Sequence, residues 1–299
     1  MKIGIVISGG DVSGINNFIF QIARLANADI TIFNGGIPGL LDKNHQEVAW
    51  RDLVDFSIAS IPIITSGRTS RRLLRSEYET IAKKIKSLRI DVLIMAGGDG
   101  SLQFLNTLSE FDINCFGVGM TIDNDVYGSD YTIGFSTACE QIIKEVSRLR
   151  NTGRALPGRV FMVEILGGYC GELTLQSAIK SNADIALIPE SQLPLETLAE
   201  RVKHKLTQQN SVVILCSEGY TREYSPGFQG AIDTMIKQLE PQIGVRIRKT
   251  IVGYGLRNGD PTCEEIYQGT IMASEVVRCI QSGMKNKAII INASNKTIP

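Results

Sequence analysis

The stretch Cys115-Phe116-Gly117-Val118-Gly119-Met120-Thr121-Ile122-Asp123-Asn124-Asp125 decides how the chain is read. Its first half is a short apolar run of the kind shown by a parallel strand buried on both faces. Its second half carries a hydroxyl and two carboxylates at alternate positions, Thr121, Asp123 and Asp125. An extended backbone projects all three to one face, because strand side chains alternate with period two. Loops at the carboxyl ends of parallel strands are where open α/β sheets place their ligands. Paired acids there suit two tasks at once, holding a divalent cation and taking a proton from an attacking hydroxyl. An Asp-rich turn closed by an Asx hydrogen bond is the other reading of the same residues.

Outward from this stretch, short β-branched runs alternate with amphipathic helical ones. Lys2–Ile7 reads as a buried strand, and Ser13–Ala26 as a helix with Ile15, Phe18, Ile19, Ile22 and Leu25 on one face. Strands are expected at Arg89–Met95, Asn114–Val118, Arg159–Ile165, Asp184–Ile188, Ser211–Leu215, Arg246–Val252 and Lys287–Ile291. Helices are expected at Ser101–Ser109, Ile133–Leu149, Leu173–Lys180, Leu195–Leu206, Gly227–Leu239 and Thr262–Ser282. Such alternation is the signature of the α/β class, with mostly parallel sheets flanked by helices. A chain of 299 residues with this pattern is expected to form two sheets.

Composition narrows the function classes. Hydrophobic content of 43% with 21% charged residues is that of a soluble globular protein. Lysine plus arginine equals aspartate plus glutamate at 31 each, so no basic field argues for nucleic acid or a membrane surface as partner. The six cysteines stand singly with no CxxC pair, which favours buried reduced thiols over disulfides or zinc. His45 and His204 are the two histidines, both in polar surroundings, so histidine-based catalysis is not expected. The N-terminal apolar run is too short for a signal peptide and no run spans a membrane, so a cytoplasmic protein is expected.

Four stretches are suited to phosphate. Ser8-Gly9-Gly10-Asp11-Val12-Ser13-Gly14 lies between the first strand and helix, where glycines admit a ligand to the backbone and free amides favour anions. It matches neither the P-loop nor the dinucleotide fingerprint, and a plain tight turn is its alternative. Gly97-Gly98-Asp99-Gly100-Ser101 repeats the design. Asp99 there is either a magnesium ligand, beside substrate phosphates, or the N-cap of the next helix. In Ser66-Gly67-Arg68-Thr69-Ser70-Arg71-Arg72, Arg68 is placed to clamp a phosphoryl group, whereas Arg71, Arg72 and Arg75 read as a solvated helix face. Arg246-Ile247-Arg248 and Gly253-Tyr254-Gly255-Leu256-Arg257-Asn258-Gly259-Asp260 put Arg248 and Arg257 beside a glycine-rich loop, each an anion grip or a surface ion pair; Arg159 carries the same two readings.

Taken together, these residues resemble the phosphofructokinase family. Ser8–Asp11, Gly97–Ser101 and Thr121–Asp125 stand in the order of its signature turns, and Gly128–Phe135 and Val163–Leu175 resemble the bacterial enzymes. The resemblance implies two Rossmann-like domains with the active site in the cleft between them. Residues 1–134 with 249–299 would bind nucleotide and residues 135–248 the sugar phosphate. It implies Asp123 as the base, Thr121 as a sugar contact, Asp99 and Asp125 at Mg2+, and Gly10, Gly98, Asp99, Gly100 and Ser101 at the phosphates of ATP. It also implies Arg68 at the transferring phosphoryl group, and Glu218, Arg159, Arg248 and Arg257 on the sugar phosphate. A homo-oligomer, dimer or tetramer, is implied as well.

Departures from the family pattern cluster on the acceptor side. Leu166-Gly167-Gly168 replaces a segment whose last residue is usually a phosphoryl-facing arginine. Loss of one such donor costs roughly 10²–10³ in turnover. Tyr254 stands where a histidine is usual, and a phenol donates one hydrogen bond without carrying charge. The usual effector pocket is eroded: Phe20 replaces an arginine, Arg24 and Arg150 remain, and Gln208-Gln209-Asn210 stand where lysines are expected. The chain stops at Pro299, so the terminal helices of typical relatives are expected to be absent. ATP-dependent phosphorylation of fructose 6-phosphate is the leading expectation. The donor expectation rests on Gly100 and Met120. Pyrophosphate-using relatives carry an aspartate and a lysine there. Gly100 leaves the nucleotide's space open, and Met120 is neither the lysine of one class nor the glycine of the other, so ATP is expected. A kinase for another phosphorylated sugar, a pyrophosphate-dependent enzyme and a weakly active sugar-phosphate sensor are the alternatives.

Overall fold

The central strands are apolar along their whole length because helices or further strands cover both of their faces. The computed structural model describes residues 1–42, 44–69, 71–223, 231–292 and 297–298. It divides into two units, Met1–Thr137 with Arg257–Pro299, and Ala138–Leu256. The first unit begins with β1 (Ile3–Ile7), α1 (Ile15–Ala26), β2 (Ile30–Phe33), α2 (Gly36–Leu41), β3 (His45–Val48) and a 3-10 turn at Trp50–Phe56. It continues with α3 (Arg75–Ser87), β4 (Val92–Gly97), α4 (Asp99–Ser109) and β5 (Cys115–Gly119). Helix α5 (Phe135–Ala155) leads into β6 (Arg159–Ile165), α6 (Glu172–Ser181), β7 (Ile185–Leu187), α7 (Leu195–Gln208), β8 (Ser211–Ser217), α8 (Ala231–Ile243) and β9 (Ile247–Ile251). The chain then returns to the first unit with α9 (Cys263–Gln281), β10 (Lys287–Ile291) and β11 (Thr297–Ile298).

Among the described residues, the first unit's sheet has the order β11-β10-β5-β4-β1-β2-β3. Its interior pairs are parallel, and the two edges, β3 on β2 and β11 on β10, are antiparallel. Strand β2 lies on one side of β1 and β4 on the other, so the loops after β1 and β4 diverge at a topological switch point, the usual ligand crevice of such sheets. Register sharpens this. Ile7 pairs with Ala96 and Gly97 with Gly119, so β1, β4 and β5 end level. The bonds Ser8 N–H to Ala96 O and Met120 N–H to Gly97 O, both 3.0 Å, start the three following turns side by side. Phe33, Leu40, Ile81, Ile85, Met95 and Phe104 pack one face of this sheet.

The second unit's sheet, β7-β8-β6-β9, is parallel throughout. Val160, Met162, Leu198, Val202, Ile214 and Met235 fill one of its faces. Truncating Met162, Leu198, Ile214 or Met235 to alanine is a loss of about 2–5 kcal/mol.

Several expectations are corrected. Leu25, in the last turn of α1, is 42% exposed rather than on its buried face. Arg71 and Arg72 precede α3 instead of lying on it. Within the expected helix Gly227–Leu239, residues 227–230 lie outside the described residues, as does Ser70. All six cysteines are free, and Cys263 is exposed, unlike the buried Cys115, Cys139, Cys216 and Cys279.

Candidate active site

The turn after β5 holds the acids, and it does so by bending. Past Met120, which forms an isolated bridge with Ile133, the backbone leaves the sheet. The Asp123 amide donates to Thr121 Oγ1 at 3.1 Å, and Asn124 takes a left-handed conformation with φ 54°. The extended, one-faced arrangement expected from alternation is therefore wrong: a hydroxyl-closed turn sets these side chains, as short polar residues favour. Thr121, Asp123 and Asp125 nevertheless line one cleft of about 180 Å³, with Gly9, Gly10, Gly98, Asp99, Arg68 and Arg257. Turn and site are the same object.

Asp99 is the first helical residue of α4; the cap position belongs to Gly98, which makes no side-chain cap bond. The N-cap reading of Asp99 is thus overturned, and the helix start stays available to an anion. A Cβ at Gly98 or at Gly100 would meet nothing within 4 Å, so open space adjoins both. Asp99 Oδ1 accepts a long bond from the Tyr127 amide, 3.4 Å. Burial, reinforced by the charge of Asp99, pushes the Asp125 carboxyl above its ordinary range. Two mutually repelling carboxylates beside free helix amides fit Mg2+, which takes one or two protein oxygens and completes its shell with phosphates and water. No group of three or more His, Cys, Asp or Glu suited to a metal occurs among the described residues, so the pair offers no all-protein cage.

Two guanidinium groups enter the same cleft. Arg68 Nε donates to Gly9 O at 2.6 Å, which ties the Ser66–Arg68 loop to the first glycine turn. Arg257 falls in the first unit, with Nη1 3.6 Å from Asp11 and 3.0 Å from where a Gly10 Cβ would lie. Ser101 is buried, and its hydroxyl donates to Ser8 O at 3.3 Å, bracing β1 against α4. Arg71 forms a bidentate pair with Glu77 (2.8 and 2.7 Å), and Glu77 also accepts the Leu74 amide.

In the second unit the loops after β6 and β8 meet. Glu218 Oε1 accepts both the Gly167 amide (3.1 Å) and the Gly168 amide (2.8 Å). Gly168 has φ +57°, so the place of the usual arginine is a left-handed backbone position with no side chain. Leu166 is half-buried beside it. Burial, with the charge of Glu218 second, pushes the Glu164 carboxyl up. Arg159 opens β6, half-buried. Arg248 on β9 lines a groove with Lys237, Arg246 and Lys249, and its Nη1 is buried without a partner among the described residues. Such an unspent cationic donor suits an anion. Tyr254 is 79% exposed. Arg150, expected from the resemblance at an effector site, is committed to Asp184 at 2.9 Å and to Asn182 O at 2.6 Å.

One feature escaped the sequence. A cavity of about 570 Å³ lies beside Gly100, lined by Ile37, Arg72, Tyr78, Gln103 and Phe104 among others. Tyr78 and Phe104 stack there with ring centroids 5.2 Å apart. Its walls come from α2, the approach to α3 and α4, a convergence that no local pattern announces.

A sequence profile of the family described as phosphofructokinase matches residues 2–280. The chain is 33% identical over 299 residues to the ATP-dependent 6-phosphofructokinase of Spiroplasma citri, covering 96% of this chain and 86% of that relative. It is 28% identical over 293 residues to the pyrophosphate–fructose 6-phosphate 1-phosphotransferase of Thermoproteus tenax, covering 95% and 87%. It also matches the structure of phosphofructokinase from Saccharomyces cerevisiae with a TM-score of 0.86 and 25% identity, over 99% of this chain and 44% of that longer one. A match that takes in all three glycine and acid turns and nearly the whole chain admits one assignment: the protein belongs to the phosphofructokinase family of phosphotransferases.

Proposed function

We propose that the protein transfers the terminal phosphoryl group of ATP to the 1-hydroxyl of fructose 6-phosphate. The observation that carries this reading is the single cleft at the ends of β1, β4 and β5, where Asp123, Asp125, Asp99 and Arg68 converge. Asp123 accepts the proton of the attacking hydroxyl, and Thr121 holds the backbone of that base. Arg68 offsets charge on the transferring group. Gly10 and the amides that open α4 receive the donor's phosphates. Asp99 and Asp125 would hold Mg2+, which when bound neutralises charge on the phosphate oxygens. Glu218 would contact the sugar. Arg159 and Arg248 lie near the starts of the parallel strands β6 and β9 and so away from Glu218; they would hold the phosphate of a sugar bound by a neighbouring copy of the chain.

ATP is favoured as donor by the cavity beside Gly100. Its stacked Tyr78 and Phe104 and its volume suit a nucleoside, which pyrophosphate lacks. A second acceptor is favoured by one observation, the side-chain-free Gly168 held against Glu218: a different phosphorylated sugar fits a pocket short of one cation. The reading includes a cytoplasmic homo-oligomer, dimer or tetramer; among the described residues no helix is long and apolar enough to cross a membrane. A coupled assay with ATP or pyrophosphate against a panel of sugar phosphates tests it. Fructose 6-phosphate with ATP is expected to rank first; a sugar phosphate of higher kcat/KM would transfer the assignment to that acceptor, and equal rates with pyrophosphate would remove the donor.

A further inference from the structure

Thr262-Cys263-Glu264-Glu265 has the spacing of a capping box, a threonine followed three residues later by a glutamate at a helix start. Half of the box is present: Thr262 Oγ1 accepts the Glu265 amide at 3.1 Å. The glutamate side chain turns elsewhere. Glu265 is fully buried, and its carboxylate accepts five bonds from residues 131–137. Oε1 takes the Tyr131 hydroxyl (3.0 Å) and the Gly134 amide (2.6 Å). Oε2 takes the Ser136 hydroxyl, the Thr137 amide and the Thr137 hydroxyl, each at 3.1 Å. Burying a carboxylate costs several kcal/mol, roughly, unless such donors surround it, and a surface capping box would start α9 without that cost. The burial thus needs another account.

The segment that Glu265 pegs is a strap over the acid turn. Ile133 N–H donates to Gly119 O at 3.0 Å. Thr132 Oγ1 donates to Thr121 O at 2.7 Å and lies 3.1 Å from Asn124 Oδ1. Asn124 Nδ2 in turn donates to Asp130 O at 3.1 Å. On its other side the Glu265 stem fills the space at Gly14, where a Cβ would lie 2.5 Å from Cγ. One buried carboxylate therefore touches the end of the first glycine turn and, through the strap, the turn that carries Asp123.

We infer that Glu265 is a positioning residue: it fixes the strap at Tyr131–Thr137, and the strap fixes Thr121–Asp125. The inference rests on the reaction proposed for that turn. Glutamine at 265 cannot satisfy the site, because either orientation of its amide aims an NH2 at a backbone N–H, that of Gly134 or of Thr137.

The test compares Glu265→Gln, Thr132→Val and the double variant by steady-state kinetics and native-state hydrogen exchange. Each single change is expected to lower kcat about tenfold or more, roughly 1.4 kcal/mol of barrier, with KM for either substrate within about threefold. The double variant is expected to be little worse than the poorer single, the sign of one shared path. Turnover within about twofold of wild type in both singles, or losses that multiply in the double, would overturn the inference. Should Glu265→Gln fail to fold, Thr132→Val, which leaves no buried charge unpaired, decides on the same kcat criterion. Should wild type transfer no phosphoryl group at all, the proposed reaction falls, and hydrogen exchange decides alone: faster exchange at the Asp123 and Ile133 amides in the variants supports positioning, and unchanged exchange refutes it.

Discussion

The turn after β5 in the first unit and the loop after β6 in the second both follow a parallel strand, and they treat their charged groups oppositely. In the first, a hydroxyl and a strap hold the backbone, so Asp123 and Asp125 remain on a cleft shared with two arginines. In the second, the carboxylate of Glu218 itself holds the backbone, bonded to the Gly167 and Gly168 amides, and the residue at 168 brings no side chain. The difference teaches where this chain has kept its chemistry and where it has not. The turn after β5 keeps two carboxylates beside two guanidinium groups. The loop after β6 is a tight glycine turn closed on Glu218 and brings no cationic side chain at 168.

The largest expected effect lies at the turn after β5. Chelating divalent cations should abolish turnover, because the two carboxylates Asp125 and Asp99 would face the donor's phosphates unscreened. Asp125 is already unfavourable as an anion through burial and then through the charge of Asp99. Turnover that survives chelation would break the assignment of that pair. Arg68→Ala should lower kcat by roughly 10²–10³, the loss expected for one transition-state donor, while far-UV circular dichroism stays unchanged. On the acceptor side, Gly168→Arg should raise turnover with fructose 6-phosphate by about tenfold, less than a preformed donor contributes. The left-handed backbone there strains a side chain by roughly 1–3 kcal/mol, so Tm should fall. Unchanged turnover would mean that the acceptor no longer reaches position 168.

The smallest effect concerns a carboxylate outside the acid cleft, paired with Arg71 at the edge of the cavity beside Gly100. The Arg71 side-chain bond, then the Leu74 amide, hold the Glu77 carboxyl down to about 2 from an ordinary 4.5. A lowered folded value stabilises above the ordinary one and is lost as pH falls toward the folded one. The urea midpoint of wild type should therefore exceed that of Glu77→Gln above about pH 4.5, with the gap closing toward pH 2.

Strands β6 and β10 were legible to the residue, Arg159–Ile165 and Lys287–Ile291, because each is an apolar run cut off by polar or glycine breakers. Elements β2, α2, β3 and α3 were not. Ile30–Phe33 is four residues long, His45–Val48 is a polar edge strand, and α3 carries too few apolar positions to show a face. The glycine turns after β1 and β4 could be read because glycine and aspartate at strand ends have local causes. Extension and a polar turn at Thr121–Asp125 share the same spacing, so sequence leaves both open and only the structure selects the turn. The cavity at Tyr78 and Phe104 and the peg at Glu265 are tertiary. The cavity joins three distant segments, and the residues around the peg have the local pattern of an ordinary helix start.

The central claim is that Asp123 is the base of a phosphoryl transfer to fructose 6-phosphate. It is tested most directly by ADP release from ATP, with Mg2+ and fructose 6-phosphate, in wild type and in Asp123→Asn. Wild type should turn over, and the variant should lose about 10²–10⁴ in kcat with nucleotide KM little changed. A variant as fast as wild type would contradict the account.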